Sequence, residues 1–236
     1  MRYIRQTALR EIGEIGQRIL NDKIVTIVGI GALGTNAASL LARAGVNLKL
    51  IDDGYVEKHN LQRQVLFTEE DIGKSKVEAA KQHLQKINSE IRIEAYDLFL
   101  TENEVDILRA DLILDCLDNM KTRFIINNYC LTHNIPWIHS AAIRTKGTVF
   151  NMIPGKACLN CLYSKEADLE RCSEVGILNT IASVIGSIQA TQAIKILLDK
   201  DYEEDLIRVN IWSNTLDKIK VARNPNCESC LLQKAI

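Results

Sequence analysis

The fold is decided by the stretch Lys23–Gly34, KIVTIVGIGALG, which joins a β-branched apolar run to three glycines spaced G-x-G-x-x-G. The run predicts a buried strand, and the segment after it, TNAASLLARAG, predicts a helix closed by a glycine. Between a strand and a helix, the backbone N–H groups around Gly29, Gly31 and Gly34 can receive a phosphate. Glycines in such a turn can also serve only close packing, so the motif favours nucleotide binding without proving it.

Strands and helices alternate through the residues that follow. The predicted strands are Leu48–Asp53, Ile91–Asp97, Asp111–Asp115 and Pro136–Ala141, and the predicted helices are Gly73–Asn88, Val105–Ala110 and Lys121–Asn134. The short helix is placed by Thr101 and Glu104, which have capping-box spacing. This alternation predicts an α/β fold with a Rossmann-like, doubly wound, mostly parallel sheet.

The pattern changes from Lys146 onward. Short strands at Gly147–Ile153, Ile207–Trp212 and Lys218–Ala222 surround one long helix and predict that antiparallel strands continue the sheet. No composition shift suggests a linker, so we expect a single domain over residues 1–236. Residues 1–145 would form its nucleotide-binding half and residues 146–236 a second half.

Composition limits the classes of function. The chain has 236 residues, of which 47% are hydrophobic and 25% charged, as in a soluble globular protein. Its net charge of -1 argues against general nucleic-acid binding. The uncharged segment Val175–Ile194 contains Asn, Thr, Ser and Gln residues that are costly in lipid, so it predicts a helix in the core or at a subunit interface. With no apolar region near the N-terminus, we expect a cytoplasmic protein without a signal peptide or membrane contact.

Polar residues after the glycines suggest which nucleotide is bound. Asp52 ends the second predicted strand, where a carboxylate can bind a ribose hydroxyl in a dehydrogenase or in any enzyme that holds adenosine. Asn60, Arg63 and Gln64 lie in a polar loop, and Lys76 begins the next helix. A triphosphate under attack needs such cations, although Arg63 and Lys76 taken alone are typical of solvated surface charges.

The fourth predicted strand ends in a polar segment, DCLDN. Asp115, Asp118 and Asn119 lie there, at the edge where a parallel sheet opens its ligand crevice. An acid there, Asp115 or Asp118, can hold Mg²⁺ against the phosphates, and Asn119 is a candidate nucleotide ligand. An N-cap for the following helix is the competing interpretation, and the two roles are compatible.

Seven cysteines in a chain without export signals indicate thiols or metal ligands rather than disulfides. Four of them form two C-x-x-C pairs: Cys158 and Cys161, and Cys227 and Cys230. One such pair can be redox-active, but two pairs favour a structural zinc site with four cysteine ligands, which attaches the C-terminal segment to the rest of the protein.

The other three cysteines differ in their surroundings. Cys116 and Cys130 lie in apolar segments and are expected in the core. Cys172 lies in the polar stretch SKEADLERCSEVG, which suits a loop over the active site. The charge of Arg171 would lower its pKa and the neighbouring glutamates would raise it, so an incidental thiol and a nucleophile are both open.

These motifs together resemble the ThiF/MoeB/HesA family, whose members adenylate ubiquitin-like sulfur-carrier proteins and share a fold with the ubiquitin-activating enzymes. The resemblance rests on an ordered set that spans nearly the whole chain: RYIRQ, GIGALG, NLQRQ, GKSKVEAA, DCLDN, AAIRTKG, CLNC, IGSIQATQAIK and NPNCESC. It implies that the glycines hold ATP.

The resemblance also implies individual roles. Asp52 would bind the ribose, Asp118 would bind Mg²⁺, and the phosphate ligands would be Asn60, Arg63, Gln64 and Lys76. Arg5 of RYIRQ would reach the ATP site of the partner subunit in a homodimer. Cys172 matches a position at which some members join covalently to the carrier, as a thioester or, with a sulfur donor, as an acyl-disulfide.

The implied substrate is the C-terminal Gly-Gly carboxylate of a small β-grasp carrier of the ThiS/MoaD type. Its attack on the α-phosphorus gives an acyl-adenylate and pyrophosphate, and a cysteine desulfurase or a rhodanese would supply sulfur later. Residues 146–236 would bind the carrier. Three alternatives are a tRNA-modifying dehydratase of the same fold, an NAD-dependent oxidoreductase and a non-catalytic scaffold.

Overall fold

One eight-stranded sheet organises the protein, whose computed structural model describes residues 2–163 and 175–232. The strand order is β3-β2-β1-β4-β5-β6-β7-β8. The first five strands pair in parallel: β1 (Ile24–Val28), β2 (Asn47–Ile51), β3 (Ile93–Tyr96), β4 (Leu112–Asp115) and β5 (Trp137–Ile143). The last three are antiparallel: β6 (Lys146–Met152), β7 (Leu206–Asn210) and β8 (Thr215–Ile219). The predicted parallel sheet with an antiparallel continuation is confirmed.

Helices cover both faces of this sheet. They are α1 (Ile4–Thr7), α2 (Gly13–Asp22), α3 (Ala32–Ala44), α4 (Lys76–Ile87), α5 (Met120–His133), α6 (Leu159–Leu162) and α7 (Asn179–Leu197). Side chains alternate along β1, so Val25 and Ile27 pack in one apolar core with α3, α4 and α7. Val28 points to the other face and packs in a second core with Ile126 of α5 and with Trp137. This arrangement is doubly wound, as the alternation of strands and helices predicts.

The long apolar helix α7 packs against the sheet and α3. By length and composition it is apolar enough to cross a membrane, but half of its most apolar window is buried in the protein. Ile181 and Ile185 are fully enclosed in the core, and the polar Gln189 is equally buried with its amide hydrogen-bonded. The expectation of a buried helix is therefore confirmed.

Most predicted boundaries shift by one to three residues, and two predicted elements differ in kind or position. The helix expected at Val105–Ala110 is a single 3-10 turn, Val105–Leu108, although Glu104 does bond back to Thr101 as the capping box predicts. The turn stops because Asp111 is already fixed at the start of the sheet, where its carboxylate accepts the Ile24 N–H at 2.8 Å. The last strand begins at Thr215 rather than Lys218, directly after a four-residue turn from β7.

Candidate active site

The glycine turn lies at the carboxyl end of β1, and its three glycines have different roles. Gly29 has φ +93°, and a Cβ there would lie 2.7 Å from the carbonyl oxygen of Cys116. A Cβ at Gly34 would lie 1.9 Å from the carbonyl oxygen of Gly29. Both glycines are thus required for close packing, as the competing interpretation held. A Cβ at Gly31 would meet only the Gln64 amide, at 3.9 Å, so this position leaves open space at the start of α3.

Asp52 connects the glycine turn to the first turn of α4. One of its carboxylate oxygens accepts the Ile30 N–H at 2.6 Å, and the other accepts the Gly54 N–H at 2.8 Å. The ammonium group of Lys76 lies 3.7 Å from the second oxygen. Each carboxylate oxygen keeps lone-pair capacity for a further hydrogen bond, so Asp52 can still accept from a ribose hydroxyl.

The predicted phosphate ligands lie around this junction. The side chain of Lys76 is only 17% exposed, and Arg63 is half-buried, with one guanidinium nitrogen 2.9 Å from the carbonyl of His59. Asn60 is buried and its amide oxygen accepts the Glu57 N–H. Gln64 is also buried, and its amide oxygen has no hydrogen-bond partner among the described residues. An orphaned acceptor of this kind beside an open space fits a ligand group that donates a hydrogen bond, such as a ribose hydroxyl.

A buried carboxylate, Asp71, holds the loop that precedes Lys76. Asp71 accepts the Thr68 N–H at 2.9 Å and lies 2.7 Å from His83 and 3.1 Å from Lys74. Burial alone would raise the pKa of Asp71, but these donors together hold that pKa far below its usual value. The loop that leads into α4 is therefore fixed at both ends.

Beyond the end of β4, Asp118 and Asn119, two of the three predicted polar positions, have different surroundings. Asn119 is the N-cap of α5, and its side chain accepts the Thr122 N–H at 2.9 Å. Asp118 is exposed and makes no hydrogen bond or ion pair with any residue that the structure describes. The capping role thus belongs to Asn119, which leaves the Asp118 carboxylate free to hold a cation.

Asp115, which ends β4, is not a surface ligand but the centre of a buried charge network. One of its carboxylate oxygens lies 3.0 Å from Nε of Arg123 and 2.6 Å from Nδ1 of His139. The other oxygen accepts the Leu117 N–H. Burial would raise the pKa of Asp115, but the charge of Arg123 and the bond from His139 hold it below its usual value.

His139 extends the network toward Tyr163. Burial lowers the pKa of His139 more than the carboxylate raises it, which favours the neutral ring. A neutral ring beside an ionised carboxylate donates from Nδ1, which leaves Nε2 to accept from the Tyr163 hydroxyl, 3.2 Å away. Sequence patterns do not identify Arg123, His139 or Tyr163, because each has the appearance of an ordinary helix, strand or loop residue.

The four cysteines of the two C-x-x-C pairs converge at one end of the second core. Their sulfurs all lie within 4.8 Å of one another, and the closest pairs are 3.3–3.9 Å apart. Sulfurs 2.3 Å from a central zinc lie roughly 3.8 Å apart in a tetrahedron, so the donors fit the ion. The backbone N–H of Asn224 also approaches Sγ of Cys161 at 3.4 Å, a bond that supports a metal-bound thiolate.

Cysteines outside this cluster are placed differently. Cys116 and Cys130 are buried, as expected, and burial raises the pKa of both thiols far above the usual range. Cys172 lies outside the described residues, so its place in a loop over the active site stays a prediction.

Arg5 lies at the opposite end of the sheet from the glycine turn. It is exposed on α1, next to Gln6, whose amide donates to the carbonyl of Ala44 at the last turn of α3. The glycine turn adjoins the first turn of the same helix, which with 13 residues is roughly 20 Å long. An arginine side chain cannot span that length, so Arg5 does not reach its own glycine turn.

Comparison with known proteins finds relatives that match nearly the whole chain. The ThiF family model matches residues 3–229. The Escherichia coli K12 molybdopterin-synthase adenylyltransferase is 39% identical over 98% of this chain and 96% of its own length. The E. coli K12 sulfur carrier protein ThiS adenylyltransferase is 41% identical over 84% of this chain and 81% of its own length. Among solved structures, E. coli MccB with ATP superposes with a TM-score of 0.81 at 26% identity, covering 91% of this chain and 68% of that one.

Proposed function

Because the chain belongs to the ThiF family, we propose that it is an ATP-dependent adenylyltransferase for a ubiquitin-like sulfur-carrier protein. The observation that supports this most directly is the open space over Gly31, which lies beside the Gln64 side chain with its unpaired amide oxygen. The neighbouring Ile30 N–H bonds to Asp52, whose carboxylate also approaches Lys76. Both relatives cited above are named adenylyltransferases, one for molybdopterin synthase and one for ThiS. This favours ATP over a nicotinamide cofactor and a protein carboxylate over a tRNA substrate.

The proposed reaction joins the carrier's C-terminal carboxylate to the α-phosphorus of ATP and releases pyrophosphate. A carboxylate is already a nucleophile, so the site needs no general base, and catalysis depends on positioning and charge neutralisation. Asp52 would hold the ribose, and Lys76 and Arg63 would neutralise the phosphates. Gln64 would contact the bound nucleotide beside Gly31. Asn60 and Asn119 would donate to the nucleotide from their side-chain amide nitrogens, whose orientation is fixed because the side-chain oxygens accept backbone hydrogen bonds.

Magnesium would be held by Asp118, whose carboxylate has no partner among the described residues. Oxygen ligands suit this ion, and its charge would stabilise the phosphates and the departing pyrophosphate. The cluster of four cysteines would hold zinc in a closed, structural site. We assign no chemistry to the zinc, since four thiolates leave no open position.

The proposed catalytic unit is a homodimer. Arg5 is too far from its own glycine turn to act there, so we place it in the partner's site, where a guanidinium binds phosphate through two parallel hydrogen bonds. Each chain would act as a single adenylation domain, with nucleotide binding in residues 1–145 and carrier and zinc binding in residues 146–236. We place the reaction in the cytoplasm, where thiolate ligands stay reduced.

Cys172 would act after adenylation. In this proposal its thiolate attacks the acyl-adenylate carbonyl, a thioester forms and AMP leaves, before a cysteine desulfurase or a rhodanese supplies sulfur. Cys172→Ala should then leave pyrophosphate exchange near the wild-type level and abolish a thiol-sensitive enzyme–carrier adduct on non-reducing gels. Wild-type enzyme that forms no adduct with the carrier it adenylates would make Cys172 an incidental loop residue.

The function is tested by exchange of labelled pyrophosphate into ATP with purified ThiS-type and MoaD-type carriers. Exchange should require the carrier, ATP and Mg²⁺, and it should disappear when the Gly-Gly terminus is removed. The two carriers are compared because relatives of both kinds match this chain. Absence of exchange with either carrier, together with a nicotinamide absorbance change, would support the oxidoreductase instead.

A further inference from the structure

The turn between β4 and α5, residues 116–119, is fixed on both sides of its one free carboxylate. Before Asp118, the Leu117 N–H donates to Asp115 at 2.9 Å, and the Leu117 carbonyl accepts from Nη2 of Arg123. After Asp118, Asn119 is locked as the N-cap of α5. The backbone around Asp118 is therefore held at three points, whereas its side chain contacts no described residue by hydrogen bond or ion pair.

Arg123 is the residue that links this turn to the sheet. Its Nε lies 3.0 Å from the carboxylate of Asp115, and its Nη2 also donates to the carbonyl of Ser140 in β5, at 3.2 Å. Arg123 is 4% exposed and Asp115 is fully buried. Two charges taken out of water in this way add little net stability compared with an apolar pair of similar volume. A contribution to folding stability is thus a weak explanation for the buried Arg123–Asp115 ion pair.

The hydrogen bonds of this network also fix the orientation of the Arg123 guanidinium. The planar guanidinium reaches β4, the turn and β5 at once, a set of contacts that requires its fork of donors. His139 bonds the same Asp115 oxygen as Arg123 and so fixes the carboxylate that orients the guanidinium. The turn itself touches the glycine turn, because Gly29 lies against the Cys116 carbonyl. The group that holds the Leu117 peptide therefore sets the direction in which the Asp118 side chain points relative to the glycine turn.

We propose that Arg123 is a positioning residue for Asp118: by holding the Leu117 carbonyl, it sets the direction from which the Asp118 carboxylate meets magnesium-bound ATP. His139 and Asp115 support this role by fixing the guanidinium. The inference rests on the proposed function, because it requires Asp118 to be the carboxylate that holds magnesium.

The test is Arg123→Lys, measured by calorimetric titration of ATP at a series of Mg²⁺ concentrations. An ammonium group can still pair with Asp115, but it lacks the fork needed to hold the Leu117 and Ser140 carbonyls as well. ATP affinity without magnesium should stay at the wild-type value, and the Mg²⁺ concentration for the half-maximal gain in ATP affinity should rise at least tenfold. If this variant does not fold, His139→Ala should shift the same midpoint in the same direction by about threefold, because it frees one side of Asp115.

Two comparisons separate positioning from general loss of stability. Ile126→Val removes a methylene from the buried core under the same helix and should lower the melting temperature without moving the magnesium midpoint. In a protein that already carries Asp118→Ala, Arg123→Lys should change the magnesium dependence no further, since its effect passes through that carboxylate.

A wild-type midpoint in Arg123→Lys, or a further shift in the Asp118→Ala background, would overturn the positioning role while leaving the proposed function intact. ATP binding by the wild type with no magnesium dependence would count against the proposed function itself, and the positioning role would fall with it.

Discussion

The nucleotide crevice and the cysteine cluster are both built from short motifs that the fold brings together. They differ in how many of their polar or metal-ligating groups are already arranged with partners. In the crevice, neither the carboxylate of Asp118 nor the amide oxygen of Gln64 has a hydrogen-bond or ion-pair partner among the residues that the structure describes. In the cluster, all four sulfurs already lie at distances suited to one ion. Spare hydrogen-bonding capacity is typical of a site that receives a substrate, whereas a closed donor set is typical of a structural site.

This contrast predicts that mutations in the two regions separate activity from stability. A crevice residue without partners contributes little to folding, so its loss should affect catalysis alone. A cluster residue holds distant segments together, so its loss should affect folding first.

The largest effect is expected for Asp118→Ala. Removing the proposed magnesium ligand should lower pyrophosphate exchange by about two to three orders of magnitude, the usual cost of losing one preorganised electrostatic contact. The melting temperature should stay within about 2 °C of wild type, because an exposed side chain without partners contributes little to stability. The measurements are exchange kinetics and a thermal melt, with the exposed Asp97→Ala as the matched control. Full activity in Asp118→Ala would contradict the prediction that mutations in the crevice affect catalysis whereas mutations in the cluster affect folding.

Mixing two inactive variants tests whether each crevice contains residues from both subunits of the proposed dimer. Arg5→Ala and Asp118→Ala should each be inactive, but after subunit exchange a mixed dimer has one site with both residues intact. Random exchange should therefore restore about a quarter of wild-type activity, as expected for a two-fold symmetric dimer. Restoration is measured by pyrophosphate exchange, and subunit exchange is checked with differently tagged chains. Confirmed exchange without recovery would place Arg5 outside the partner's site.

Cys227→Ser should produce the opposite outcome to Asp118→Ala. The variant should lose about one zinc per chain by elemental analysis and lose on the order of 3 kcal/mol of stability, a fraction of what zinc gives a small domain. For a chain of this size that loss lowers the melting temperature by roughly 6–12 °C. The segment after β8 should become sensitive to protease.

The matched control for this variant is Cys130→Ala, which also removes a buried cysteine but lies in α5 outside the cluster. It should keep its zinc. Full zinc occupancy in Cys227→Ser would contradict the metal assignment, and equal zinc loss in both variants would show that the effect is not local.

The same contrast explains what the sequence can predict. Gly29, Asp52, Lys76 and the paired cysteines can be located because their chemistry depends on short-range spacing next to a strand or helix end. Arg123 and His139 cannot, because their partner Asp115 is chosen by packing: one lies in a helix and the other on a neighbouring strand. Predicted element boundaries are wrong where a tertiary contact intervenes, as at Asp111, which ends the Val105–Leu108 turn by bonding to the start of β1.

The smallest expected effect concerns Asp71. This residue stabilises the loop before Lys76 and has no proposed contact with the nucleotide. Its buried carboxylate accepts from Thr68, His83 and Lys74, and its pKa is well below the usual value. Asp71→Asn keeps the size of the side chain but loses the charge, and should cost about 1–3 kcal/mol at neutral pH.

The sign of the pH dependence follows from that lowered pKa. Folding favours the ionised form of Asp71, so its contribution is complete above the unfolded pKa of about 3.9 and is lost as pH falls toward the folded value. Urea unfolding of wild type and Asp71→Asn at a series of pH values should show a constant difference in unfolding free energy from pH 7 to about 5, which shrinks below about pH 4. The exposed Asp201→Asn should show no such difference at any pH. A difference that is unchanged at about pH 3 would mean that Asp71 stabilises the loop by shape and neutral hydrogen bonds rather than by its charge.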